Sequence, residues 1–158
     1  MKKIFSVSVE NRSGVLSKVA GLFARRSYNI ESLTVGETND PTISNMTIVS
    51  SGTLHDLEQI EKQLNKKLDV IKVRTYKEEE VHSREVIFIK LKYGAADRSQ
   101  LLEISQICKA EIVDSTENTM ILLLCDTPDR VSKFIDMVKK YNIVEISRTG
   151  TLAMKKCK

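Results

Sequence analysis

Several residue types are scarce in this chain of 158 residues, which has no tryptophan, two histidines, three cysteines, six glycines and only 5% aromatic residues. The two histidines, His55 and His82, have no serine, cysteine or aspartate partners in a spacing typical of nucleophilic catalysis. The glycines do not cluster into a loop that could bind a phosphate, since Gly14 and Gly21 are a helix length apart. The sequence therefore predicts no catalytic residue.

The cysteines, Cys108, Cys125 and Cys157, are odd in number and widely spaced, which fits neither a disulfide framework nor a set of metal ligands. We expect no metal site. Cys108, in a predicted helix, and Cys125, in an apolar strand, are expected to be buried as small hydrophobic residues. Reduced thiols, together with the lack of a recognisable signal peptide, predict a cytoplasmic protein.

Long apolar runs and concentrated charge are also missing. The longest apolar run, from Met120 to Cys125, is far too short to cross a membrane. The 25 basic and 21 acidic residues give a net charge of +4 with no strongly basic segment. RNA recognition modules need exposed aromatic pairs on their central strands, and this chain offers only isolated residues such as Phe5 and Phe88. We therefore expect neither a membrane nor a nucleic acid as partner.

What the sequence contains is one pattern of apolar residues that occurs twice. In the first half, alternating and helical periodicities predict strands at 3–10, 30–37, 43–51 and 70–76 and helices at 14–27 and 54–67. In the second half, the strands are predicted at 84–93, 111–116, 119–125 and 143–149. The helices there are predicted to begin at Asp97 or Ser99 and after the N-cap Thr127, with Pro128 in the first turn.

The order βαββαβ in each half predicts an α+β protein made of two tandem ferredoxin-like domains. We assign the first domain to residues 1–77, a charged linker to 78–83 and the second domain to 84–158. Two helices cover only one face of each sheet, yet some strands carry apolar residues on both faces, as with Ile4 beside Phe5. We therefore expect another domain or another chain to cover the second face, and at least a dimer.

The loop from Asn11 to Leu16 joins the first strand to the first helix. The free N–H groups and the positive dipole end of that helix favour a carboxylate. Gly14 has no side chain, so a ligand can approach the backbone closely. The junction therefore suits a small carboxylate ligand such as an amino acid. An ordinary strand-to-helix turn with Ser13 as the helix N-cap explains the same residues equally well.

A specific resemblance begins at the same loop. The run from Val9 to Val19, followed by Gly21-Leu22-Phe23 and by Tyr28 to Val35, resembles the amino-terminal ACT domain of the acetohydroxyacid synthase regulatory (small) subunit. The similarity continues through residues 40–44, 46–48 and 57–64 and at Val70. In the second half, Ile112-Val113-Asp114 and the segment from Glu145 to Gly150 fit the carboxy-terminal domain of the same family.

The resemblance implies a regulatory subunit without catalytic activity. Such subunits bind the catalytic large subunit of acetohydroxyacid (acetolactate) synthase, raise its activity and confer feedback inhibition by a branched-chain amino acid, usually valine. The resemblance also implies that this chain holds no cofactor, since thiamine diphosphate, magnesium and FAD would belong to the catalytic partner, and that it forms a homodimer or a larger assembly.

The effector site is predicted to contain Asn11, Ser13, Gly14, Val15, Leu16, Asn29 and Ile30. We expect backbone N–H groups at the start of the first helix to bind the carboxylate, and the amides of Asn11 and Asn29 to accept from the ammonium. By resemblance, Asn29 and Ile30 would come from a neighbouring subunit. Asn29 is also suited to be the left-handed residue that ends the first helix, a role that does not exclude ligand binding.

Two other functional classes remain open at this stage. One is a free-standing ACT-type amino-acid sensor that regulates another enzyme or a transcription system. The other is a small-molecule enzyme built on the ferredoxin-like fold.

Overall fold

The computed structural model describes residues 1–157, which form two compact units. The first unit comprises residues 1–82 together with 151–157, and the second comprises residues 83–150. Within the described residues, no helix combines the length and the apolar character that a membrane span requires.

The first unit has the predicted βαββαβ order. Its elements are β1 (Lys2–Glu10), α1 (Val15–Ala24), β2 (Ile30–Glu37), β3 (Ile43–Ser51), α2 (Leu54–Asn65) and β4 (Val70–Tyr76). The four strands form an antiparallel sheet in the order β2-β3-β1-β4. β2 and β4 are therefore the edges of this sheet.

The helices of the first unit pack on one face of the sheet because alternate residues of β1 point to that face. Phe5, Val7 and Val9 are at most 1% exposed and lie in one cluster with Phe23 of α1 and Leu64 of α2. At the start of α2, the sequence provides a capping box. Asp56 N–H donates to the Thr53 hydroxyl (3.2 Å) and Thr53 N–H donates to the Asp56 carboxylate (3.0 Å).

The opposite face of this sheet, which we call the outer face, carries a second apolar cluster of Ile4, Val49, Tyr76 and Val81, against which Ala153 packs. Ala153 lies in the short strand β9 (Leu152–Lys155), which pairs with β5. The sequence predicts that another domain or chain covers this face. In the structure, a C-terminal segment of the same chain covers part of it.

This segment changes the domain boundaries expected from the sequence. The second domain is predicted to extend to residue 158, but residues 151–157 belong to the first unit. Thr151 N–H donates to the Ser32 hydroxyl (2.6 Å), and Lys156 N–H donates to the Glu80 carbonyl (3.0 Å). The predicted linker 78–83 is also structured, as a 3₁₀ turn over Glu78–Glu80 followed by the start of β5.

The second unit repeats the topology of the first. Its elements are β5 (Val81–Lys92), α3 (Arg98–Cys108), β6 (Glu111–Ser115), β7 (Thr119–Asp126), α4 (Pro128–Val138) and β8 (Asn142–Arg148). The strands are antiparallel in the order β6-β7-β5-β8. Thr127 caps α4 and Pro128 is its first residue, as predicted. The α+β fold with two tandem βαββαβ units is confirmed.

One burial prediction for the second unit is wrong. Cys125 is exposed, whereas Cys108 is partly buried beside the core. The apolar run of β7 obeys strand alternation, so Leu122 and Leu124 point inward while Cys125 points to the other face.

Candidate functional site

The loop between β1 and α1 exposes backbone at a helix N-terminus. Gly14 is the N-cap residue of α1 and has a left-handed conformation (φ 84°), and no side chain of the described residues caps the helix. Ser13 therefore does not have the capping role of the alternative interpretation. A Cβ placed on Gly14 would meet no atom within 4 Å. The Val15 N–H donates to the Arg12 carbonyl (3.4 Å), and the open space beside Gly14 gives an anion access to the first turn of α1.

Asn11 is fixed beside this opening by contacts that sequence reasoning missed. Its amide nitrogen Nδ2 donates to the Pro41 carbonyl (2.8 Å) and to Oε1 of Glu37 (3.0 Å). Its backbone N–H donates to the Thr42 carbonyl (2.7 Å). Both amide protons are occupied, so the carbonyl oxygen Oδ1 is the atom of Asn11 suited to accept from a ligand ammonium.

A buried carboxylate behind the loop is a second feature that sequence reasoning missed. The side chain of Asp69 is only 7% exposed and accepts from the Arg12 guanidinium and from the Lys18 ammonium (2.8 Å). The hydrogen bond from Lys18, followed in size by the one from Arg12, lowers the pKa of Asp69. The bond from Arg12 to Asp69 also raises the pKa of Arg12. Arg12 and Asp69 are 57 positions apart, a separation that no local pattern reveals.

The apolar residues predicted for the site differ in their accessibility. Val15 is 2% exposed and belongs to the core of the first unit, so only its backbone is available to a ligand. Leu16 is 44% exposed and offers its side chain. Ser13 is also exposed and lies in the same loop.

Asn29 and Ile30 lie at the opposite end of the sheet. The Asn29 carbonyl accepts from the Ser50 hydroxyl (2.7 Å), and Ser50 is opposite Lys3, near the start of β1. Asn11 follows the end of β1, eight residues after Lys3, so the two halves of the predicted site are roughly 26 Å apart at about 3.3 Å per strand residue. One chain does not bring them together.

The other role predicted for Asn29, that of the left-handed residue after α1, belongs to Ser27 in the structure. Ser27 has a φ of 56°, whereas Asn29 has no positive φ. Tyr28 N–H closes the end of the helix by donating to the Phe23 carbonyl (3.0 Å). Asn29 is exposed, and its side chain is therefore open to other partners.

Across residues 1–157, no group of three or more His, Cys, Asp or Glu side chains is arranged to hold a metal ion. His55 and His82 are both exposed. The loop offers backbone N–H groups, the amide oxygen of Asn11 and a nearby carboxylate for recognition.

Comparison with known proteins finds a matching family model for each half of the chain. The family model described as the AHAS small subunit-like ACT domain matches residues 5–72, and the model described as the small subunit of acetolactate synthase matches residues 84–157. The chain belongs to the acetolactate synthase small-subunit family. The resemblance identified in the sequence is thereby confirmed.

Relatives in this family align along nearly the whole chain. The acetolactate synthase small subunit of Haemophilus influenzae is 43% identical over 98% of this chain and 95% of its own length. The probable acetolactate synthase small subunit of Archaeoglobus fulgidus is 44% identical over 98% of this chain and 96% of its own. The crystal structure of the small subunit from Thermotoga maritima superposes with a TM-score of 0.93 at 34% identity, covering 100% of this chain and 99% of that one.

The two acetolactate synthase family matches divide the chain differently from the fold. All seven predicted effector residues lie within residues 5–72, the match to the ACT domain. The match to the second model continues to residue 157 and so includes the segment that structurally completes the first unit.

Proposed function

We propose that this chain is the regulatory subunit of acetolactate synthase, which activates the catalytic large subunit and makes it sensitive to feedback inhibition by a branched-chain amino acid, valine first among them. Family membership supports the role. The observation that carries the effector site is the uncapped N-terminus of α1, with its open Gly14 next to the fixed amide of Asn11. Catalysis and its cofactors, thiamine diphosphate, magnesium and FAD, then belong to the large subunit, and the complex works in the cytoplasm.

Each part of an amino acid has a counterpart in this loop. The carboxylate binds the N–H groups at the start of α1, where the helix dipole favours negative charge. The ammonium donates to Oδ1 of Asn11, close to the Glu37 carboxylate that accepts from the same side chain (3.0 Å). The aliphatic side chain contacts the exposed part of Leu16.

The sheet topology supports a role for Asn29 and Ile30 in the site of a second copy of the chain. β2 is an edge strand, with Asn29 just before its first residue and Glu37 as its last. If β2 pairs with β2 of a second copy about a two-fold axis, the strands run antiparallel. The start of one β2 then lies beside the end of the other. Asn29 and Ile30 of one subunit therefore approach Glu37 and Asn11 of its partner, and each dimer holds two equivalent sites.

A binding measurement tests the site alone. We expect each chain of the dimer to bind one L-valine, and thermal melts should shift with ligand. At a hundredfold its dissociation constant, the ligand should add about 2.7 kcal/mol to the free energy of unfolding. Leucine and isoleucine serve as comparisons. The absence of a shift with all three amino acids would remove the effector site from the proposal.

A reconstitution experiment tests the whole function. The rate of acetolactate formation from pyruvate is measured for the catalytic subunit alone, for this chain alone and for the mixture, each with and without valine. We expect no product from this chain, a raised rate in the mixture, and inhibition by valine in the mixture only. Because linkage is reciprocal, the active complex must bind valine more weakly than the inhibited one does. A flat rate without a valine response would favour a free-standing amino-acid sensor instead.

A further inference from the structure

The structure points to Asp69 as a positioning residue of the effector site. We propose that its carboxylate, by binding Arg12 and Lys18 together, holds the loop from Asn11 to Leu16 in the conformation that receives the amino acid. The inference rests on the proposed function, and it adds to that function a residue outside the loop that sets the affinity of the site.

One carboxylate, that of Asp69, accepts hydrogen bonds from a residue near each end of the loop. Asp69 lies between α2 and β4, and its side chain is 7% exposed. Oδ1 accepts from Nε of Arg12 (3.1 Å), which precedes Gly14, and Oδ2 accepts from Nζ of Lys18 (2.8 Å), in α1 just after the loop. The two cations, which flank Gly14 in the sequence, therefore bind the same carboxylate.

The carboxylate is itself held in place by the backbone. The carbonyl oxygen of Asp69 accepts from the N–H of Glu10 (2.9 Å), the last residue of β1. The side chain of Glu10 pairs with Arg12 (2.8 Å) on its exposed side. Asp69 is thus hydrogen-bonded to the last residue of β1, directly before the loop. No flexible segment therefore separates the carboxylate from the loop that it holds.

Hydrogen bonds to Glu37 and Pro41 fix the loop at Asn11, so the restraint from Asp69 matters for the part around Gly14. Gly14 has the largest conformational freedom of any residue type, and no side chain caps α1. A loop that samples several conformations binds more weakly, in proportion to the fraction of time it spends in the binding-competent one. The hydrogen bonds from Lys18 and Arg12 keep the pKa of Asp69 low, so the restraint persists at neutral pH.

The central test compares Asp69→Asn with the wild-type full chain by titration with L-valine. The amide keeps the shape of the side chain but removes the charge that attracts both cations. We expect the dissociation constant to rise about tenfold, equivalent to roughly 1.4 kcal/mol. Asp69→Glu should recover part of the affinity. Asp136→Asn is the matched control, because that exposed carboxylate pairs with Lys139 (2.8 Å) in the second unit, and it should leave valine affinity unchanged.

A mutant cycle separates positioning from a general loss of structure. Arg12 and Lys18 are 60% and 57% exposed, so a variant with Arg12→Gln and Lys18→Gln should fold even where Asp69→Asn does not. This double variant should show the same weakened affinity, and adding Asp69→Asn to it should have no further effect. Independent effects that multiply would overturn the inference. So would an unchanged or tighter dissociation constant in Asp69→Asn, since Asp69 would then only neutralise two cations.

Amide hydrogen exchange without ligand distinguishes failure of this inference from failure of the proposed function. In Asp69→Asn, exchange over residues 12–18 should accelerate at least tenfold, while exchange in the second unit stays the same. If the wild type binds no branched-chain amino acid, the proposed effector site is wrong, and this inference about its affinity is wrong with it. If the wild type binds valine but loop exchange does not change in Asp69→Asn, only the role of Asp69 is refuted.

Discussion

Replacing Gly14 with aspartate tests the position of the ligand carboxylate directly. The substitution puts a negative charge at the start of α1, where we expect the carboxylate of the amino acid to bind. A side chain has room there, because a Cβ on Gly14 meets no atom within 4 Å. The fold and the binding function should therefore respond very differently.

The expected effect on stability is small because two contributions oppose each other. The left-handed conformation of residue 14 (φ 84°) costs a non-glycine residue about 1–2 kcal/mol, less for aspartate and asparagine. Negative charge at a helix N-terminus returns about 0.3–1 kcal/mol. We therefore expect the melting temperature to fall by no more than a few degrees.

The expected effect on binding is large. Two like charges about 4 Å apart repel by roughly 4 kcal/mol at the effective dielectric constant near a protein surface. This corresponds to a loss of affinity of about a thousandfold. Valine binding should therefore become undetectable in a calorimetric titration, and in the reconstituted enzyme valine should no longer inhibit while activation is retained.

Gly14→Asn is the matched control for this prediction. Asparagine has nearly the same shape, tolerates the same backbone conformation and carries no charge, so it reports the cost of lost space alone. We expect it to bind valine more tightly than Gly14→Asp by at least tenfold. If both variants bind as tightly as the wild type, the carboxylate lies elsewhere. If both lose affinity equally, crowding and not charge explains the loss.

Three further outcomes follow from the first unit. Thr53→Ala removes the capping box of α2 and should lower the free energy of unfolding by about 1 kcal/mol in urea titrations, without changing valine affinity. The pKa of Asp56 is lowered by its bonds to Thr53, so its stabilisation is complete above about pH 4 and is lost as pH falls through the lowered value. Urea titrations from pH 5 to 2 should show a flatter pH dependence in Asp56→Asn. Residues 1–77 alone lack Val81 and Ala153, which cover the outer face, so this fragment should melt below the full chain.

The strands could be predicted closely because burial imposes a period of two on their side chains. The predicted bounds of β2, β3 and β4 agree with the structure at 30–37, 43–51 and 70–76. The ends of the helices were harder to predict from the sequence. The predicted first helix extends to residue 27, but α1 ends at Ala24 because the chain turns through the left-handed conformation of Ser27. A serine in that conformation has no distinct sequence signal.

β9 could not be predicted from local sequence. Its four residues, Leu152–Lys155, are too few to establish a period, and exposed Leu152 and Met154 alternate with Ala153. The strand is positioned because it packs on the apolar outer face of the sheet that the first half of the chain forms. Apolar residues on both faces of β1 did indicate that something covers Ile4, but not that the cover lies nearly 150 residues away.

The loop from Asn11 to Leu16 shows the same division between local and distant information. Gly14 and Asn11 are recognisable from the sequence because the strand, the glycine and the helix are adjacent. The residues that hold them are not. Asn11 meets Glu37 across 26 positions, and Arg12 meets Asp69 across 57. Such pairs become visible only when the antiparallel sheet brings the end of β1 next to the start of β4 and to the same end of the sheet as the end of β2, with β3 between them.

β2 links the features on which the proposed regulation depends. Its last residue, Glu37, accepts a hydrogen bond from Asn11 of the loop before α1 (3.0 Å). Its first residue, Ile30, follows Asn29 and would complete the site of a second subunit. Between them, the Ser32 hydroxyl accepts from the N–H of Thr151 (2.6 Å), where the C-terminal segment enters the first unit. Because these contacts share one strand, an effector that fixes both ends of β2 also fixes the strand to which this segment is attached. Under the proposed function, valine bound at the ends of β2 would restrain the C-terminal segment without touching it.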